Sequence, residues 1–303
     1  MPLHSMSGSD SEVVSLLDKL KVHAISITRL EESSFGSKVY KIDTSGQTKV
    51  LKLFHGNREY WRERKTLELL EPTGLVPKVL DGLPSTGGFD GALLLEYVEN
   101  ENLAASSVDS STAYTTGAKL AQIHKHSLGT LGFFGSQGVE TVPFRGWWSF
   151  RRHLLTNYWA DIVRKRMDEK FVQRCCDHIA RLSSSFHDDE PTSLIHCDFR
   201  FGNVLKRRDG QLMVIDFESA REGDSAYDFI KIWEQIGRSS GGQEWKAFLN
   251  GYSSVRPLPS DLNAKLSYYW FDLNYGFLYW AIDRADEALF QERLRVVNEL
   301  LRT

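Results

Sequence analysis

No stretch of this 303-residue chain stays apolar for long: hydrophobic residues are 41% and charged residues 25% of it. Lys, Glu or Asp interrupts each apolar run well short of the about twenty residues that a membrane helix needs, so no membrane partner is expected. The opening Met1–Asp10 is polar, rich in Ser and Gly, and lacks the apolar middle of a secretion signal, which predicts a loose tail and no export. Cysteine is scarce. Of three, Cys175 and Cys176 are neighbours and Cys197 stands alone, a spacing that suits neither a zinc site nor a disulfide framework and fits a reducing cytoplasm. An excess of basic charge is missing too: 37 Lys and Arg stand against 40 Asp and Glu, a formal net charge of -3. Nucleic acid is therefore not an expected partner, since its binders carry a basic patch. Internal repeats and long low-complexity tracts are also lacking.

What is present is enough chain for two lobes, each with a core of its own. Alternating apolar residues predict strands at Ala24–Leu30, Val39–Asp43 and Val50–Phe54, with Thr44–Gln47 as the turn between the last two. Tyr60, Glu63, Leu67 and Leu70 recur at helical spacing, predicting a helix over Arg58–Leu70 that ends before Pro72 and Gly74. Val79–Leu83 and Ala92–Val98 complete an antiparallel sheet. After Glu99–Asp109 the periodicity turns helical, at Thr112–His126, Trp148–Arg166, Phe171–Phe186, Ala226–Ile236, Trp245–Tyr252 and Asp261–Leu301. The expectation is an α+β, bilobal fold: a small antiparallel β-sheet lobe with one helix over residues 1–98, and a larger, mainly helical lobe over 99–303.

The densest chemistry lies in Ile195-His196-Cys197-Asp198-Phe199-Arg200-Phe201-Gly202-Asn203-Val204-Leu205, followed by Leu212-Met213-Val214-Ile215-Asp216-Phe217-Glu218. Phosphoryl transfer needs a carboxylate to orient a hydroxyl and take its proton, and oxygen ligands to hold Mg²⁺ against phosphates. Asp198 can supply the first, Asn203 and Asp216 the second. Each alone is better explained as a cap or a turn; the joint spacing, framed by β-type runs, points to catalysis. On the third strand Val50, Lys52 and Phe54 share one face, and Leu51 and Leu53 the other. A surface Lys on an edge strand is the competing reading; apolar neighbours on both sides of Lys52 tilt the balance to burial. Glu63 lies on the apolar face of the next helix, where an unpaired carboxylate is costly; pairing with Lys52 removes that cost, with Glu59 as the competing partner.

These motifs resemble the aminoglycoside phosphotransferase and choline kinase group of the protein-kinase-like superfamily. The resemblance rests on Asp-x-x-x-x-Asn, on Asp-Phe-Glu where protein kinases have Asp-Phe-Gly, and on Glu222-Gly223-Asp224-Ser225-Ala226-Tyr227-Asp228. It spans about Ser33 to Phe229. It implies transfer of the terminal phosphate of ATP or GTP to an alcohol, with Asp198 catalytic and Mg²⁺ on Asn203 and Asp216. It further implies that Lys52, set by Glu63, holds the α- and β-phosphates. Ser34, Gly36 and Ser37, in a loop with a single Gly, would cover the phosphates, and the backbone from Glu96 to Val98 would read the adenine edge. His196 becomes a support, Asp228 an anchor of the catalytic loop, and Cys197 fills a place that these kinases often give to Gly.

Few residues separate Asp216 from Asp228 and no Ala-Pro-Glu follows, so the activation segment that holds a protein substrate is lacking and a small-molecule acceptor is expected. Asp272, Tyr279, Asp283 and Asp286 recur at near-helical spacing with Trp270, Phe271, Tyr275 and Trp280 nearby; the commoner reading is a solvated acidic face over an aromatic core, the other a wall suited to a cationic antibiotic. Arg145, Arg151 and Arg152 argue the other way. An antibiotic-modifying kinase is the first expectation. A metabolic kinase for choline, ethanolamine, a sugar or an amino alcohol is the alternative, and a scaffold without catalysis a remoter one.

Overall fold

The computed structural model describes residues 8–30, 37–85, 91–103, 108–238 and 242–302. In chain order its elements begin with α1 (Gly8–Lys19), β1 (Ser26–Arg29), β2 (Lys38–Asp43), β3 (Thr48–Leu53), α2 (Asn57–Leu70), β4 (Val79–Leu83), β5 (Ala92–Glu96) and β6 (Asn100–Asn102). There follow α3 (Ser110–Ile123), the hairpin strands β7 (Gly132–Gly135) and β8 (Gly138–Thr141), α4 (Trp147–His153), α5 (Ala160–Val163) and α6 (Glu169–Leu182). The remainder comprises β9 (Ser193–Ile195), β10 (Val204–Arg207), β11 (Leu212–Val214), β12 (Arg221–Gly223), α7 (Phe229–Ile232), α8 (Gln243–Ser253), α9 (Leu262–Asp283) and α10 (Glu287–Leu300). The chain forms two compact units: Met1–Val108 with Phe133–Val139 and Arg200–Ala220, and Asp109–Gly132 with Glu140–Phe199 and Arg221–Thr303.

The first unit is built on a five-stranded antiparallel sheet in the order β1-β2-β3-β5-β4. Thr44 closes the β2–β3 turn, its hydroxyl donating to the Gln47 carbonyl at 2.7 Å and accepting from the Gln47 N–H at 3.2 Å. That turn sets Val39 opposite Lys52 and so decides which side chains of β3 share a face. Leu51 and Leu53 pack with Tyr40, Ile42, Ala92 and Leu94 against Val13, Leu16, Leu17 and Leu20 of α1 and the turn after it. Each fully buried Leu there contributes about 1.5–3 kcal/mol. This helix was not foreseen: Gly8–Asp10, read as part of a loose tail, open it, and the sheet lobe carries α1 as well as α2. Its apolar residues recur at i, i+3, i+4 and i+7, a period that the polar start of the chain disguised.

The segment after α2 turns through Pro72 and Gly74, whose φ of 68° takes the left-handed region that glycine adopts freely. Its Leu75 carbonyl accepts from the Val214 N–H at 2.8 Å. The hairpin of β10 and β11 pairs with β6. These bonds group Arg200–Ala220 with the sheet despite their late place in sequence.

In the second unit α9, 22 residues long, is the longest helix among the described residues. The helical pattern read as continuous over Trp148–Arg166 is interrupted by a π-helical stretch, Leu154–Trp159. That over Asp261–Leu301 breaks between Asp283 and Glu287: Ala285 takes a φ of 55°, and the Asp286 carboxylate caps the new helix by accepting from the Leu289 N–H at 3.0 Å. Ala226–Ile236 is a succession of 3₁₀, α and π turns. Among the described residues no helix is long and apolar enough to cross a membrane.

Candidate active site

Lys52 projects from β3 on the face away from α1, 5% exposed. Its Nζ lies 2.5 Å from Glu63 Oε2, 2.6 Å from Asp216 Oδ1 and 3.3 Å from Glu218 Oε2. Glu63, on the inner face of α2, is thus the helix partner of Lys52. Burial alone would lower the affinity of Lys52 for its proton, but the charges of Asp216, Glu63 and Glu218 outweigh that and raise its pKa above the ordinary lysine value. Glu63 sees the reverse balance. Burial, with repulsion from Asp216 and Glu218, exceeds the pull of Lys52 and pushes its carboxyl up to about 7. The two shifts are consistent, because the ammonium has three acidic neighbours whereas Glu63 has one cation and two anions.

Asp216 reaches this cluster from just beyond β11. Val204 is opposite Val214 in the hairpin, and the Ile215 N–H donates to the Asn203 carbonyl at 3.0 Å. Asn203 and Asp216 therefore stand at adjoining positions at one end of the hairpin, Asn203 buried and Asp216 in left-handed backbone at φ 72°. Glu63, Asp216 and Glu218 each offer a carboxylate oxygen, all within 4.8 Å of one another. Three carboxylates around a single ammonium leave an excess of negative charge, and hard oxygen donors of this kind fit Mg²⁺. Glu218 was not singled out from the sequence as a member of this cluster; its place two residues after Asp216 was the available signal.

Ser37 Oγ donates to Glu218 Oε2 at 2.5 Å, which draws the end of the loop before β2 onto the same cluster. Ser34 and Gly36 lie outside the described residues. Glu96 ends β5, its N–H donating to the Lys78 carbonyl at 2.9 Å, and Val98 is buried. Glu96, Tyr97, Val98 and Glu99 line a cleft of about 360 Å³ with Arg207, Arg208 and Asp209.

Asp198 belongs to the second unit, in the loop after β9. Two backbone donors of that loop, the N–H groups of His196 and Cys197, bond to Asp228 Oδ2 and Oδ1 at 2.6 and 2.8 Å. Asp228 is buried, and its Oδ2 also lies 3.1 Å from His124 Nε2, while His124 Nδ1 is 3.0 Å from the Tyr252 hydroxyl. The Asp198 N–H donates to His196 Nδ1 at 3.2 Å, so the fully buried imidazole supports the loop from within. Cys197 adopts φ 68°, the backbone that makes glycine the easier residue there. The Asp198 carboxylate accepts from Lys231 Nζ. His124 and Lys231 escaped the sequence reading because each is far along the chain from what it touches. Glu222 holds the same region together, accepting from Ser127 Oγ, Thr192 Oγ1 and the Leu128 N–H at 2.9, 2.7 and 2.6 Å.

The acidic series offered as a wall for a cation is not continuous. Asp272 is 1% exposed and paired in two-pronged fashion with Arg151, whose Nε is 3.0 Å from Asp272 Oδ2 and whose Nη2 meets Oδ1. Phe271 and Tyr275 are core residues. Asp286 caps α10. The opposed charges of Arg151 and Asp272 that the sequence left unreconciled neutralise each other in the interior.

Residues 27–262 match the model of the phosphotransferase enzyme family. No curated protein matches the chain in sequence. Solved structures match over nearly the whole length. An aminoglycoside phosphotransferase in a ternary complex with ADP and hygromycin B is 17% identical, with 95% of this chain and 97% of that one covered and a TM-score of 0.72. The choline kinase LicA from Streptococcus pneumoniae is 17% identical, with coverages of 98% and 99% and a TM-score of 0.70. An aminoglycoside 2'-phosphotransferase in complex with GDP is 15% identical, with 96% of each chain covered and a TM-score of 0.71. At these identities the likeness carries the fold, that of the small-molecule kinases.

Proposed function

The chain belongs to the phosphotransferase enzyme family, and from that premise we propose that it moves the terminal phosphoryl group of ATP or GTP onto a hydroxyl of a small molecule. The observation that carries this reading is the buried Lys52 bonded to both Glu63 and Asp216. An ammonium fixed beside an acidic, oxygen-rich cluster is the arrangement that receives a metal-bound triphosphate. In this reading Lys52 binds the α- and β-phosphates and Glu63 keeps it aimed. The loop containing Ser34, Gly36 and Ser37 covers the phosphates, and the backbone of Glu96 to Val98 bonds the base. Asn203 and Asp216 hold Mg²⁺, which when bound supplies positive charge to the phosphates. Asp198 orients the acceptor hydroxyl and takes its proton as the new O–P bond forms. The bond from the γ-phosphorus to its bridging oxygen breaks, and the nucleoside diphosphate leaves with that electron pair. Alignment and charge neutralisation carry most of the rate.

Two acceptor classes follow from the neighbours. An amine-bearing antibiotic has the support of the relative that binds hygromycin B, and would make the protein a resistance kinase. A metabolic alcohol has the support of the choline kinase and of the burial of Asp272 against Arg151, which removes one acidic group from a polycation's reach. A cytoplasmic place, where the nucleotides are, suits either.

Asp198→Ala is expected to fold and bind nucleotide yet lose transfer by at least about a hundredfold. Mass spectrometry of reactions holding the protein, Mg²⁺, either nucleotide and a panel of hydroxylated antibiotics and metabolites reads the gain of one phosphate. Undiminished product from Asp198→Ala refutes the assignment. Nucleotide binding without any phosphorylated acceptor favours the scaffold.

A further inference from the structure

We propose that Lys231 is part of the phosphoryl-transfer machinery: its ammonium holds the Asp198 carboxylate toward the acceptor and stabilises the negative charge of the phosphoryl group in flight. The inference rests on the reading of Asp198 as the acceptor-facing carboxylate. Lys231 Nζ bonds to Asp198 Oδ1, with the two side chains only 25% and 26% exposed. Lys231 stands on α7, whose Phe229, Ile230 and Ile232 are buried. Asp228, the residue just before α7, accepts from the N–H groups of His196 and Cys197. Two side chains three residues apart thus grip the Asp198 loop, the Asp228 carboxylate at the loop's backbone N–H groups and Lys231 at the Asp198 side chain. Among the described residues Asp198 is the sole acidic group within ion-pair distance of Lys231.

A hydroxyl bonded to this carboxylate lies about 3 Å from it, so the ammonium on the same carboxylate stands within roughly 5 Å of the attacking oxygen. A compact, fixed cation at that range acts on the phosphoryl oxygens when their charge shifts, without reorganising at the moment of reaction. The proton goes from the hydroxyl to Asp198; Lys231 keeps its own throughout. An ordinary surface ion pair, by contrast, affects neither rate nor fold by much.

The test uses the full chain and slow hydrolysis of Mg-ATP, in which water replaces the acceptor. Lys231→Met and Lys231→Gln are expected to lower kcat at least about tenfold, with KM for ATP within about twofold and the thermal midpoint kept. Lys231→Arg, which retains the charge, is expected to recover about a third of the wild-type kcat or more. Uncharged variants within about twofold of wild type, while Asp198→Ala is inactive, overturn the inference and leave the phosphotransferase reading standing. So does a rise in KM alone, a failure of both uncharged variants to fold, or an Arg variant as slow as Met. A wild-type protein that hydrolyses neither Mg-ATP nor Mg-GTP sinks the phosphotransferase reading and this inference with it.

Discussion

Asp228 gathers three donors on one buried carboxylate: the N–H groups of His196 and Cys197 and the His124 ring. A carboxylate only accepts, so His124 Nε2 carries the proton and Nδ1 accepts from the Tyr252 hydroxyl. Burial lowers the pKa of His124 from its ordinary 6.5, and Asp228 reverses that only in part. On acidification the unfolded chain therefore takes up the second ring proton first, so the contribution of His124 to stability is complete above about pH 6.5 and is lost as pH falls below it. Between about pH 7 and pH 5 the unfolding midpoint of the wild type should fall more than that of His124→Gln. Parallel curves would show that the imidazole is not the source. At this scale Cys197 and Asp216 are also notable. Both are non-glycine residues at φ near 70°, each costing about 1–2 kcal/mol, and both lie in the loops that carry the proposed chemistry. Strain at such positions is held by the surrounding bonds: for Cys197, the Asp228 carboxylate on its N–H.

Helices α3 and α8 cross with their backbones almost touching. A Cβ added at Gly251 would stand 1.8 Å from the Tyr114 carbonyl oxygen, and one at Gly117 2.0 Å from that of Phe248. On a free helix Gly→Ala stabilises by about 1 kcal/mol. Here the obstacle is backbone, which cannot rotate aside, so the sign reverses. Gly251→Ala is expected to destabilise by about 3 kcal/mol, read by urea unfolding; a gain in stability would show that the helices can part freely. The crossing also matters to the site, since α3 is followed directly by His124 and α8 carries Tyr252, the two residues behind Asp228. Elements with strong periodicity were legible, as Val79–Leu83 and the helix over Asn57–Leu70 show. The glycines of α3 and α8 gave no such signal, because a missing side chain has no period; only the partner helix explains it.

For the molecule as a whole, the cluster around Lys52 sets three carboxyl groups about one ammonium. A ligand that binds only the folded chain raises its stability by mass action. Mg²⁺ with a non-hydrolysable ATP analogue, at about a hundredfold over its Kd, should add about 2.7 kcal/mol and raise the unfolding midpoint. The analogue without Mg²⁺ should do less. Asp216→Asn should lose most of the metal-dependent part, and an unchanged Mg²⁺ effect in that variant would remove Asp216 from the ligand set.

The amino-acid order alone determined the sheet-then-helix plan, the alternation that turns Lys52 away from Leu51 and Leu53, and the spacing of Asp198, Asn203 and Asp216. All of these follow from local period and short-range steric rules, which act within a few residues. Tertiary structure decided what depends on partners remote in sequence: that Lys52 gains Asp216 and Glu218 besides Glu63, that Asp272 is silenced by Arg151, that α1 covers the sheet, and that Lys231 lies on Asp198. Ion pairs and packed faces join residues separated by tens to more than a hundred positions, and one chain read end to end carries no sign of which charge will meet which until the backbone has folded.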